Sequence, residues 1–345
     1  MNMRKLAFLL ALALLLGWIF PCQGISAASY LVMDADTGRV LLEQNADQKS
    51  LIASTTKIMT GYLACQLCDA EGSFTVPKQA VGIEGSSIWL REGQTVTVRT
   101  LLYGTLLQSG NDAATALAIA ACGSEAAFVA QMNETARQLG LNSTHFANPH
   151  GLDDAENYST ARYLARLAAA ALKNPLFAQI VSTKSVNIDG NSFVNHNKLL
   201  WRLEGAIAVK TGYTRAAGRI LVSAVRRGGR TLVCVTIHDP DDWNDHAALI
   251  DAAFSHYQSL QIATAGEPVF CVPSVCGQAG YTELLAGEDL ELLLLPEERV
   301  SYAWSVASVL FPPYEAGEDA GLVRVYVDRN QVAEIPVVVA SSSTS

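Results

Sequence analysis

Along the chain, apolar and polar positions switch between a two-residue and a helical period. The switches predict strands, then a helical block, then strands again. Residues 30–34 and 39–43 are strand-like apolar runs joined by Ala35-Asp36-Thr37-Gly38, which predicts a β-hairpin. From Leu51 the period lengthens: Ser54, Thr55 and Thr56 suit a helix cap, and Tyr62, Leu63 and Leu67 follow at helical spacing. A Gly-rich irregular stretch at 82–90 and alternating Thr and Val at 94–98 come next. A helix is expected from about Thr100, carrying Leu101, Leu102, Leu106 and Leu107 and stopping at Ser109-Gly110-Asn111. Asp112 is placed to cap an alanine-rich helix running to about Cys122. Further helices are expected at about 124–139 and from about Ser159 to just before Asn174-Pro175.

Strands then dominate. Residues 206–212 read as one, and 219–226 with 231–238 as a hairpin across Arg227-Gly228-Gly229-Arg230; a closing helix follows at about 242–257. A hairpin, a helical block, three strands and a last helix predict an α/β (α+β) fold: an antiparallel sheet shared between the two ends of the segment, with helices packed on it. After about Gln258 the chain is valine- and leucine-rich and helix-poor, the composition of a small all-β C-terminal domain. The division expected is therefore 1–28, 29–257, 258–340 and a polar tail at 341–345.

Residues 1–28 have the layout of a secretory signal peptide: Arg4 and Lys5, an apolar run from Leu6 to Phe20, then Ser26-Ala27-Ala28. The run falls short of the ~20 apolar residues of a membrane span, so a cleaved leader and a secreted, extracytoplasmic protein are expected. Composition excludes one class of partner. Of 345 residues half are hydrophobic, and the net charge of −9 comes with no basic block, which argues against nucleic acid. Beyond the leader, Cys65, Cys68, Cys122, Cys234, Cys271 and Cys276 read mostly as buried free thiols, although Cys271 and Cys276 bracket a loop they could close. The six histidines lack short metal-ligand spacing and are expected to cap or pack; Trp89 and Trp201 could line a cleft, but filling a core is the commoner role of such residues.

The chemistry concentrates in three short segments. On a helix, Ser54 and Lys57 stand one turn apart on one face. A serine becomes a nucleophile when a neighbour takes its proton, and a lysine can do so once burial or nearby positive charge lowers its pKa. By itself Ser-x-x-Lys is weak, arising about once by chance in a chain this long. Ser109-Gly110-Asn111 and Lys210-Thr211-Gly212 each have a chance expectation under about 0.1, and their joint order is what carries weight.

This constellation resembles the penicillin-reactive serine acyl-transfer enzymes. Its Ser-Gly-Asn variant is similar to the D-alanyl-D-alanine carboxypeptidase family, the low-molecular-mass penicillin-binding proteins with a β-lactamase/transpeptidase-like fold. Residues 53–60, 85–93, 101–116, 148–152, 158–161 and 210–214 all look familial. The resemblance implies that Ser54 forms an acyl-enzyme with the penultimate D-alanine, Lys57 takes its proton and Ser109 passes one to the leaving D-alanine. It implies substrate contacts from Asn111, Lys210, Thr211, Gly212 and Tyr213, with the backbone N–H groups of Ser54 and Tyr213 as oxyanion donors. No metal or cofactor is implied. The partners would be peptidoglycan stem peptides and, as covalent inhibitors, β-lactam antibiotics. Alternatives are a D,D-endopeptidase, a related β-lactamase, or an inactive wall-binding or β-lactam-sensing module; no Glu-x-x-x-Asn loop of the class A β-lactamases follows Asn111. Two departures are visible. Ala208 stands where relatives often carry glycine. The start of the closing helix, residues 239–246, lacks an arginine that assists substrate binding in some relatives, leaving the substrate carboxylate to Lys210 and Thr211 with Arg215 as the nearest further cation. The membrane-binding terminal helix of several relatives is also missing, so membrane contact is left open.

Overall fold

The structure is a computed structural model and describes residues 24–275 and 280–343. Most of the expected leader, and Cys276, lie outside the described residues. Two compact units are present, one formed by residues up to Ala35 and Val40–Ala252, the other by Asp36–Arg39 with Ala253–Ser345.

The larger unit is built on a five-stranded antiparallel sheet. Strands β1 (Ser29–Asp34) and β2 (Val40–Gln44) form the first hairpin; β3 (Ala206–Thr214), β4 (Gly218–Arg227) and β5 (Arg230–Ile237) come from the far end of the segment. The order β2-β1-β5-β4-β3 puts β1 beside β5, with Ser29 opposite Ile237 and Asp34 opposite Leu232. β1, β5 and most of β4 are buried on both faces, which explains their near-continuous apolar sequence. β3 is an edge, and its pairing with β4 carries an irregularity between Val222 and Ser223, leaving Val209 as an extra residue beside Lys210.

Helix α1 (Lys57–Leu67) runs through the middle of the unit, with Ile58, Met59, Leu63 and Ala64 buried. Helices α2 (Val98–Leu106), α3 (Asn111–Cys122) and α4 (Glu125–Gln138) gather beside it, and α5 (Ala161–Leu172) packs over β1 and β5. The last helix is α6 (Asp242–His256). Capping follows the sequence at several starts: Thr97, Ser124 and Thr160 each accept from a backbone N–H inside the helix that follows. It fails at two. Ser54 lies in a short 3-10 turn, Ala53–Thr56, and no side chain caps α1. Asp112 lies inside the first turn of α3, whose N-cap is Gly110; its carboxylate instead accepts from Ser87 Oγ at 2.6 Å and the backbone N–H groups of Ile88 and Leu90. The residue expected to cap a helix thus ties down the irregular stretch 87–90.

Elements that went unanticipated include a helix at Pro175–Val181, capped by Asn174, and a hairpin of Ser185–Ile188 with Asn191–Val194. Residues 26–28, assigned to the leader by sequence, are built into this unit. Ser26 donates its N–H and hydroxyl to Asp245 and its hydroxyl to Asp239, and Ala27 is buried. No single helix among the described residues is long and apolar enough to cross a membrane.

In the smaller unit a five-stranded antiparallel sheet runs in the order Pro268–Pro273, Tyr281–Ala286, Asn330–Val339, Asp319–Val327, Val300–Val306. Gln258–Ala263 pairs with Leu290–Leu294 alongside it. Leu284, Leu292, Val325 and Val337 are its most buried side chains.

Candidate active site

The turn that carries Ser54 is held from both sides by backbone. Ala53, just before the serine, has φ 45°, a left-handed conformation that costs a non-glycine residue of order 1 kcal/mol or more. Gly151, at φ +87°, lies so close that a Cβ on it would fall 1.9 Å from the Ala53 carbonyl oxygen. Gly212 of β3 makes the opposite approach, since a Cβ there would sit 3.2 Å from Thr55 Cγ2 and 3.3 Å from the Ile52 carbonyl oxygen. Glycine at these two places lets a loop and a strand edge close on the serine turn.

Lys57 is fully buried. Its Nζ lies 3.1 Å from Ser54 Oγ, 2.7 Å from Asn111 Oδ1 and 2.5 Å from the His150 carbonyl oxygen. Burial, reinforced by the nearby Lys210 ammonium, holds its pKa well below the usual lysine range. Lys210 is also buried; desolvation brings it down to about 7, and its Nζ donates to the Thr211 carbonyl oxygen at 2.8 Å. Asn111 is fixed on its other side by Nδ2 donating to the Glu84 carbonyl oxygen at 2.5 Å. Ser109 joins α2 to α3 at φ 63°, a second left-handed non-glycine residue in the site.

A cleft of about 380 Å³ opens over this cluster, and Ser54, Ser109, Thr211, Gly212 and Tyr213 line it. All eight residues singled out in the sequence therefore meet in one place, with Lys57, Asn111 and Lys210 behind the wall. Five others share the cleft without having been anticipated: His196, Lys198, Arg219, and Asp242 with Trp243 at the start of α6. Arg215, the cation the sequence pointed to, is exposed and does not line it. His196 departs from the expected capping or packing role, and burial together with Lys210 lowers its pKa. The His150 contribution comes through a backbone carbonyl, which no side-chain pattern signals. Trp89 and Trp201 are not core residues; they are 83% and 51% exposed. Among the described residues no three His, Cys, Asp or Glu side chains are gathered as a metal site. Cys65, Cys68, Cys122, Cys234 and Cys271 are free thiols, only Cys234 fully buried.

The model of the D-alanyl-D-alanine carboxypeptidase family, Peptidase S11, matches residues 20–241. The chain belongs to this family. It is 30% identical over 327 residues to D-alanyl-D-alanine carboxypeptidase DacF of Bacillus subtilis, covering 90% of this chain and 84% of that one. It is 32% identical over 339 residues to DacA of Escherichia coli, 91% of this chain and 83% of that. Among solved structures, penicillin binding protein 5 from Haemophilus influenzae superposes with a TM-score of 0.82 at 27% identity, covering 95% of this chain and all of that one. As a member of the family the chain is a serine peptidase with the penicillin-binding, transpeptidase-like fold, followed by a sheet-rich C-terminal region.

Proposed function

We propose that this carboxypeptidase removes the terminal D-alanine from peptidoglycan stem peptides through an acyl-enzyme on Ser54. The observation that carries the reading is the setting of Lys57. A neutral lysine has two N–H groups and one lone pair; Asn111 Oδ1 and the His150 carbonyl accept the two hydrogens, and the lone pair is left for the Ser54 hydroxyl 3.1 Å away. The lowered pKa favours the neutral form of that lysine, which takes the Ser54 proton as Oγ attacks the penultimate D-alanine carbonyl. The Ser54 and Tyr213 N–H groups hold the oxyanion. Ser109, on the wall of the same cleft, passes a proton to the departing D-alanine nitrogen. Asn111, already engaged by Lys57 and Glu84, keeps one Nδ2–H for the substrate peptide. Lys210 and Thr211 face the substrate carboxylate, and binding that anion restores the Lys210 charge which burial lowers. Water then releases the shortened peptide.

β-Lactams would acylate Ser54 by the same route. A basic, then apolar, amino terminus supports work outside the cytoplasmic membrane, in the cell wall. The test is D-alanine release from diacetyl-L-lysyl-D-alanyl-D-alanine, with Ser54→Ala beside the native protein. Release by the native chain and none by the variant is the expected result; equal release from both ends the mechanism.

A further inference from the structure

We infer that Arg219 is a carboxylate-binding residue of this enzyme, reading the substrate's C-terminus from the neighbouring strand β4. The inference rests on the D-Ala-D-Ala reading above and adds to it a directed hydrogen-bond donor for the substrate carboxylate. Register sets the position. Thr211 and Tyr213 are two apart on β3 and so point to one face; Arg219 is paired with Tyr213, while Leu221 is paired with Thr211. Arg219 is therefore the diagonal neighbour of Thr211 on that face, at the ~7–8 Å separation a long side chain spans. It lines the same cleft as Ser54 and Thr211.

The guanidinium is aimed by its partners. Nε donates to Asp242 Oδ2 at 3.1 Å, and Nη2 lies 2.9 Å from both Asp242 oxygens. The Trp243 ring is 6.0 Å from the guanidinium carbon. Asp242 is nearly buried, at 4% side-chain exposure, whereas Arg219 is 43% exposed. A guanidinium has five N–H donors in a rigid fork, and the clamp on Nε and Nη2 leaves the Nη1 donors of this cleft-lining residue to a ligand. Among the described residues no hydrogen bond engages Nη1. Because Asp242 cancels the net charge of the pair, Arg219 acts through short directed hydrogen bonds rather than a long-range field.

The test compares acids with their esters. Acylation of Ser54 is followed by intact mass with benzylpenicillin and its methyl ester, and turnover with diacetyl-L-lysyl-D-alanyl-D-alanine and its C-terminal methyl ester. For Arg219→Gln the rate constant on both free acids should fall about 10- to 100-fold, the value of a lost charged hydrogen bond, while both esters change little. Retained ester acylation shows that the variant is folded. Arg219→Lys should recover part of the loss, and Asp242→Asn, which unclamps the guanidinium, should give a smaller loss on the acids alone. An equal fall on acid and ester, or no fall on either, overturns the inference. If the native protein is acylated by penicillin but releases no D-alanine, the substrate reading fails while the penicillin pair still decides the role of Arg219.

Discussion

At the scale of single residues, two buried lysines set the chemistry and its pH dependence. Lys57 must be neutral to accept the Ser54 proton, and Lys210 must be charged to attract a carboxylate. Burial lowers both, and the Lys210 ammonium adds to the lowering of Lys57. The free enzyme should therefore show a bell-shaped kcat/KM, rising with pH as Lys57 loses its proton and falling as Lys210 does, with the pair titrating in two macroscopic steps. Lys210→Arg keeps its charge to much higher pH, so the falling limb should move up by at least a unit. Profiles of D-alanine release between pH 5 and 10 check this; an unmoved alkaline limb would assign it to another group. Arg219, missed in the sequence where Arg215 was favoured, shows what spacing cannot supply. Which of the two faces the cleft depends on the β3–β4 register, which is set by tertiary pairing.

At the scale of elements, the sheet and the long helices were legible because each has a strong period: β-branched runs for β3, β4 and β5, leucine and alanine faces for α2, α3 and α5. The hairpin at 185–194 was not, since Asp189-Gly190 joins two strands of only four residues each. Nor was the true role of Asp112, because a side chain able to cap can equally serve backbone N–H groups of a distant loop. The Ser54 turn owes its position to Gly151 as much as to its own residues. Gly151→Ala would place a Cβ within van der Waals exclusion of Ala53 and force a left-handed alanine. Urea unfolding should register a loss of about 2 kcal/mol or more, and penicillin acylation should drop further than stability alone accounts for. A variant of unchanged acylation rate would mean that the serine turn tolerates the shift.

For the molecule as a whole, acid sensitivity follows from histidines folded in their neutral form. His246, buried between Ser223 and Thr236, is held down to about 3, and His150 to about 4, in both cases chiefly by burial. Below their ordinary pKa of ~6.5 the unfolded chain takes up protons that the native state refuses. Stability therefore falls as pH drops from ~6.5 toward 3–4, by ~1.4 kcal/mol per pH unit for each histidine. Asp239, raised to about 6 by burial, works in the opposite sense, so the informative comparison is with a variant and not the total slope. His246→Gln should be less stable at pH 7 yet lose less on acidification to pH 4.5, read from urea midpoints; an identical slope would remove His246 from the explanation. The central claim, that three distant segments converge to make Ser54 a nucleophile, has a more direct readout. Incubated with benzylpenicillin and digested, the protein should yield a penicilloyl adduct on the peptide containing Ser54, and Lys57→Ala should yield none. An adduct on any other residue, or none on the native protein, would contradict the account.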